Sequence, residues 1–183
     1  SYQNIIKFVN YAEKYPDTFL FGPIFNNDEY EANTIINVNW ISGCVIFINN
    51  KYLNDIELFD KNIFLYFEET DLCRRIIKKG LLIKKCKDII INHYTGTSSK
   101  NSHNTEKIKA WHFGWSWAYY HSKHKLISQK LIRKRYYIYS LKAMTSLSTT
   151  KKNRYNFLSK GVKAYLNNES CLLYTSDAAD ELS

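Results

Sequence analysis

The chain has 183 residues, 45% hydrophobic and 23% charged, which is enough to bury a core and excludes a disordered, collagen-like or low-complexity polypeptide. No apolar run approaches the ~18 residues of a membrane span, and Ser1–Tyr11 lacks the basic-then-apolar layout of a signal peptide. The net charge of +9 is unevenly spread: residues 1–70 hold 4 basic and 10 acidic side chains, residues 71–168 hold 22 and 3, and residues 169–183 hold none and 4.

Tyr2–Tyr15 places Ile5, Ile6, Val9 and Ala12 at near-helical spacing, and Pro16-Asp17 stops it. Thr18–Phe25 (TFLFGPIF) is a short apolar run before the polar stretch NNDEYEANT and predicts a buried strand. Asn39–Asn49 (NWISGCVIFIN) predicts a second strand, with Gly43 in its middle where a backbone or ligand can approach. Asn62–Phe67 (NIFLYF) is apolar throughout and runs into three acids. The helix that follows is the best specified in the chain. Glu68, Glu69 and Asp71 crowd its start, Leu72, Ile76 and Ile77 form its apolar stripe, and Lys78, Lys79 and Gly80 close it. Leu81–Asn92 is strand-like and ends in the loop His93–Ser99, while Ala110–His124 and Lys125–Leu147 have helical spacing. Four cysteines, Cys44, Cys73, Cys86 and Cys171, are widely spaced with no Cys-x-x-Cys pair, and read as reduced thiols in a cytosolic setting.

The cluster Glu68-Glu69-x-Asp71 is the first candidate for chemistry. As ordinary helix-start carboxylates, each would be worth about 0.3–1 kcal/mol. NIFLYF is too apolar for a solvated loop, so these acids emerge from a core onto an edge. A carboxylate held at a helix N-terminus stays ionised, which suits a general base. Acids one residue apart point in different directions, so one can act while the other is held structurally. His93 opens a Gly/Ser/Thr loop, where either a surface role or a ligand role fits. His112, His121 and His124 sit among Trp and Tyr with no nearby carboxylate, and aromatic packing is the better reading.

Lys123–Lys163 holds 12 Lys/Arg and no acid. With apolar residues at helical intervals, this predicts a cationic amphipathic surface for anionic lipid. Its tyrosines also permit a non-catalytic module that binds nucleic acid or polyanion, but no helix-turn-helix, KH or RRM signature accompanies them.

The run from Asn39 to Ser99 resembles the second half of the catalytic domain of family 2 glycosyltransferases, in particular the rhamnosyltransferase-like branch. Gly43-Cys44, Phe59-Asp60, Phe64–Phe67, Glu68-Glu69-x-Asp71-Leu72, Arg75, Gly80 and His93 fall in the family's order. The resemblance implies an α/β fold, the C-terminal half of a GT-A (Rossmann-like) domain with a mixed sheet, followed by basic α-helices. Residues 1–108 would be that partial catalytic domain and 109–168 the basic helical region. Residues 169–183 break the style of the rest and read as a non-native tail. The family's Asp-x-Asp and its preceding βαβ unit do not occur in this chain, so the nucleotide half of the domain is expected upstream and this piece alone is expected to be inactive.

The resemblance further implies inverting transfer from a dTDP- or UDP-sugar to a glycan or lipid-linked acceptor in bacterial cell-surface polysaccharide synthesis. Glu69 stands where the family has the Asp of its Glu-Asp pair and would be the base, one methylene longer. Glu68 and Asp71 would support it, with Asp71 orienting the acceptor or holding the helix start. Trp40, Gly43 and Cys44 would lie beside the substrate. His93 would be one ligand of a divalent metal, Mn²⁺ or Mg²⁺, with Mn²⁺ favoured by a His ligand. The expected location is cytoplasmic, peripheral at the inner face of the membrane.

Overall fold

A computed structural model of the protein describes residues 2–25, 35–54, 56–92 and 103–172. The chain forms two compact units, one from Ser1–Asp60 and Glu68–Thr95, the other from Lys61–Phe67 and Gly96–Ser183.

The first unit is α/β. Its elements are α1 (Tyr2–Lys14), β1 (Thr18–Phe25), β2 (Ile35–Asn37), β3 (Phe47–Ile48), a 3₁₀ turn (Asn50–Tyr52), α2 (Glu68–Lys78) and β4 (Leu82–Ile91). They build a mixed four-stranded sheet in the order β2-β4-β1-β3, with β1 and β4 parallel and the outer pairings antiparallel. TFLFGPIF is apolar at nearly every position because β1 is an inner strand covered on both faces. Phe8 of α1 packs with Phe21, Cys86 and Ile89, while Leu72, Cys73 and Ile76 of α2 pack with Phe19, Leu20, Ile41 and Ile83.

Pro23 lacks an N–H for the ladder, and the β1–β4 register breaks beside it, from Pro23↔Cys86 to Ile24↔Ile90. Asp88 lies in this irregular stretch of β4. It accepts from the Tyr11 hydroxyl at 2.8 Å and pairs with Lys7 at 3.3 Å, which ties α1 to the sheet.

The predicted strand Asn39–Asn49 is mostly not a strand. Only Phe47–Ile48 pair, opposite Phe21 and Leu20. Ser42 Oγ accepts from the Cys44 amide at 3.3 Å, and this local turn competes with ladder formation. Ile35–Asn37 pairs with β4 instead, a strand that the sequence pattern did not predict.

The second unit is helical in its described part: α3 (His103–Lys123), α4 (Gln129–Thr145) and α5 (Thr149–Leu166). α3 thus begins before the predicted boundary at 109, and the predicted helix Lys125–Leu147 is shortened at both ends to α4. The apolar segment Asn62–Phe67 is neither strand nor helix. It lies on α3, with the Leu65 carbonyl accepting from Ser116 Oγ at 2.8 Å, Phe64 against His112, and Phe67 against Phe113 and Tyr120. Those rings hold Tyr66 and Phe67 in consecutive left-handed conformations, φ 65° and 70°, which bulky residues rarely adopt.

The segment 169–183, read from sequence as a non-native tail, is part of this unit at least to Leu172. Trp115 Nε1 donates to the Glu169 carbonyl at 2.9 Å, and Cys171 is buried beside Trp111 and Trp115. Residues 173–183 lie outside the described residues.

α3 and α5 meet backbone to backbone. A Cβ on Gly114 would run into the Leu158 carbonyl, and one on Gly161 into the Trp111 carbonyl and the Trp115 amide nitrogen. Each glycine costs about 1 kcal/mol in a helix interior, and the close approach requires both. Gly161→Ala should therefore lower stability by about 3 kcal/mol or more, read as a shift of the urea midpoint at unchanged slope.

His112 is fully buried, with Nδ1 3.2 Å from Cys171 Sγ. Burial lowers its pKa from 6.5 to about 4. The unfolded chain therefore takes up a proton at a higher pH than the folded chain does. Stability is lost as the pH falls from about 6.5 towards 4, by roughly 3 kcal/mol in total. His112→Gln should flatten that part of the stability–pH curve, measured by urea melts at a series of pH values.

Candidate functional site

Of the site residues predicted from sequence, Trp40, Gly43, Glu68, Glu69 and Asp71 lie at the start of α2 or on the segment that crosses it, within the first unit. Three carboxylates occupy its first turn, and their surroundings differ sharply. Asp71 is fully buried, and its Oδ2 accepts from Arg75 Nε at 2.6 Å, one helical turn on. The same guanidinium donates to the Leu58 carbonyl at 2.5 Å and to the Glu57 carbonyl, so three of its donors are engaged. The pairing with Arg75 is compatible with the expected holding of the helix start by Asp71.

Glu68 is half-buried, and its Oε2 is buried with no hydrogen-bond partner among the described residues. Burial, reinforced by the neighbouring Glu69 charge, pushes its carboxyl above the ordinary range, against a smaller opposing effect of its own backbone amide. For Glu68, desolvation thus works against the ionised form expected of a helix-start acid.

Glu69 is half-buried and lies along the segment Trp40–Cys44. A Cβ on Gly43 would touch Glu69 Cβ, Cγ and Cδ at 3.5–3.7 Å, so the bare glycine backbone faces the length of this side chain. Trp40 Nε1 donates to Thr70 Oγ1 at 3.2 Å, and Cys73 is hydrogen-bonded to the Ile41 backbone while burial pushes its thiol up to about 11. Ile41 is anchored from below, because Gly22 in β1 leaves room for it: a Cβ there would meet Ile41 Cγ2 at 3.0 Å. Residues 40–43 therefore run across the first turn of α2 in a defined register.

The structure brings together Trp40, Gly43, Glu68, Glu69 and Asp71. Cys44 follows Gly43 with an exposed thiol. Gly43 occupies a turn rather than the middle of a strand. Trp40 is 43% exposed, with its indole N–H held by Thr70 in the first turn of α2. Thr70 carries no sequence signal for its part here, whereas the Asp71–Arg75 pair is readable from its i,i+4 spacing.

His93, the predicted metal ligand, lies outside the described residues. Among the described residues no group of three or more His, Cys, Asp or Glu side chains is placed to hold a metal ion. Of the carboxylates of α2, Asp71 is paired with Arg75. No metal-dependent step is assigned to these residues. His121 and His124 pack on Trp117 and Tyr120, as aromatic neighbours rather than as a ligand pair.

Comparisons with protein-family models, with curated proteins and with solved structures return no match.

Removing Arg75 would leave a buried carboxylate and two loop carbonyls without their donor. Arg75→Ala should cost about 3–5 kcal/mol in chemical denaturation. Arg75→Lys should recover only part of it, since an ammonium cannot reproduce the planar fork.

Proposed function

We propose that this chain carries the acceptor-activating part of an inverting glycosyltransferase of the family 2 type, with Glu69 as general base. One observation carries the reading: among the described residues Glu69 forms no ion pair and lies against the bare backbone of Gly43. Asp71 is held by Arg75, and Glu68 is buried and biased towards its neutral form. Glu69 instead lies beside the backbone of Gly43, and a half-exposed tryptophan, Trp40, is tied to the next residue of the helix, Thr70. An exposed indole on the segment that crosses the helix start suits a sugar ring, whose C–H face packs on aromatics while its hydroxyls reach polar groups.

In this reading an acceptor hydroxyl attacks the anomeric carbon of a nucleotide-sugar. The new oxygen–carbon bond forms as the bond from the anomeric carbon to the diphosphate oxygen breaks. The acceptor proton passes to the Glu69 carboxylate, and the bonding electrons leave with the nucleoside diphosphate. Gly43 presents a bare backbone along the Glu69 side chain, and Trp40, pinned through Thr70, limits where the acceptor can lie. Holding the attacking oxygen and the base in one geometry is the larger part of what such a site contributes.

In the enzyme that carries this sequence, Glu69→Gln keeps the size of the side chain and removes the base. Turnover with a nucleotide-sugar donor should fall about 10²–10⁴-fold, with donor binding little changed. Turnover within a few-fold of the parent would remove Glu69 from the role.

A further inference from the structure

α4 is apolar on two opposite faces. Ile132, Tyr136, Tyr139 and Ala143 face inward, with Ile132 and Ala143 buried and both tyrosines against the cluster of Ala118, Ile132 and Val162. That is one complete stripe at i, i+4, i+7 and i+11, and it satisfies the packing of the unit. A second stripe, Lys130, Lys134, Tyr137, Leu141 and Met144, repeats the pattern on the far side. At 100° per residue it falls within an arc of about 80°. Tyr137, Leu141 and Met144 are 68%, 61% and 80% exposed, and Leu147, just past the helix end, is fully exposed.

The charges around this stripe have one sign. Residues 103–172 hold fourteen Lys and Arg against two acids, Glu106 and Glu169. Glu106 pairs with Lys109 at 3.2 Å. Arg135 lies over the rings of Trp117 and Tyr139, and Lys142 over Tyr155. Lys130, Arg133 and Lys134 stand exposed along and beside the outer stripe, and Lys151 and Lys152 follow Leu147 at the start of α5.

An occupant must therefore accept apolar side chains and several cations at once. A nucleic acid would take the cations but has no use for Leu141, Met144 and Leu147, which cannot stack on bases as rings do. An apolar protein surface would strand the cations without water. An anionic bilayer meets both demands, because headgroup phosphates receive the cations while the apolar tips reach the acyl boundary. No described helix is long and apolar enough to cross a membrane, so the contact is in the plane of the surface.

We propose that the outer face of α4 is a peripheral binding surface for anionic phospholipid, inserting Tyr137, Leu141, Met144 and Leu147 at headgroup depth. The inference rests on the helical unit alone and does not depend on the transferase reading.

The test is co-sedimentation of the full chain with vesicles of phosphatidylcholine, with or without about one third phosphatidylglycerol. Binding is expected only to the anionic vesicles and should weaken as sodium chloride is raised. Replacing Lys130, Arg133 and Lys134 by Gln should weaken it about fivefold for each cation removed. The pair Leu141→Ser and Met144→Ser should weaken it at constant charge. All five positions are exposed, and circular dichroism checks that the helices persist. In a Tyr137→Trp variant, emission should shift to the blue on adding anionic vesicles. Equal binding to both vesicle types, no loss in the serine pair, or unshifted emission from the Tyr137→Trp variant would each overturn the proposal. Tighter binding to a single-stranded oligonucleotide than to anionic vesicles would overturn it in favour of nucleic acid.

Discussion

The fully buried carboxylate of Asp71 and its partner Arg75 are the constraint on which the candidate site depends. A carboxylate taken wholly out of water is tolerable only if a cation and further hydrogen bonds meet it. Arg75 does this from the next turn of the same helix while two more of its donors bind the Glu57 and Leu58 carbonyls. One side chain thus neutralises the acid, satisfies two loop carbonyls and fixes where α2 begins. The placement of Glu69 follows from that, because it stands two residues upstream on the same turn and, among the described residues, is carried by the helix rather than by an ion pair of its own.

Close backbone approach is the second theme, and glycine permits it in both units. Gly22 lets the side chain of Ile41 settle onto β1, which draws the following residues across the α2 start and brings Gly43 to Glu69. In the helical unit, Gly114 and Gly161 let α3 and α5 touch through their main chains. At these positions a methyl group would displace a neighbour that is itself tightly packed, so the geometry rests on what is absent from the side chain. Gly43 differs from the others: a Cβ there would stand at ordinary contact distance from Glu69, so no clash requires the glycine.

Desolvation explains why acids with the same local sequence setting diverge. Glu68, Glu69 and Asp71 share one helical turn and the same favourable end of the helix dipole, worth about 0.3–1 kcal/mol to each. Burial of Glu68 works in the opposite direction and prevails. Among the histidines the same effect keeps His112 neutral inside an aromatic cluster. In both cases the chemistry is set by how much water the fold removes, a quantity to which residues distant in sequence contribute.

Local features were legible in the sequence. The extents of α1, β1, α2 and β4 follow from hydrophobic period, Pro16, the acids at the start of α2 and Gly80, all of which act within a few residues of where they stand. The acidic cluster, the i,i+4 pairing of Asp71 with Arg75, and the concentration of positive charge beyond residue 100 belong to the same class. Tertiary structure alone decided the rest. It drew Trp40–Cys44 out of the expected strand and onto α2, laid Asn62–Phe67 along α3, and took Glu169–Leu172 into the helical unit. It also separated the inner stripe of α4 from an outer one that periodicity could not tell apart, since both repeat at helical spacing. The reason is common to all of these. A period states which residues share a face, but which face is buried, and which carboxylate keeps its water, depends on partners brought in from elsewhere in the chain.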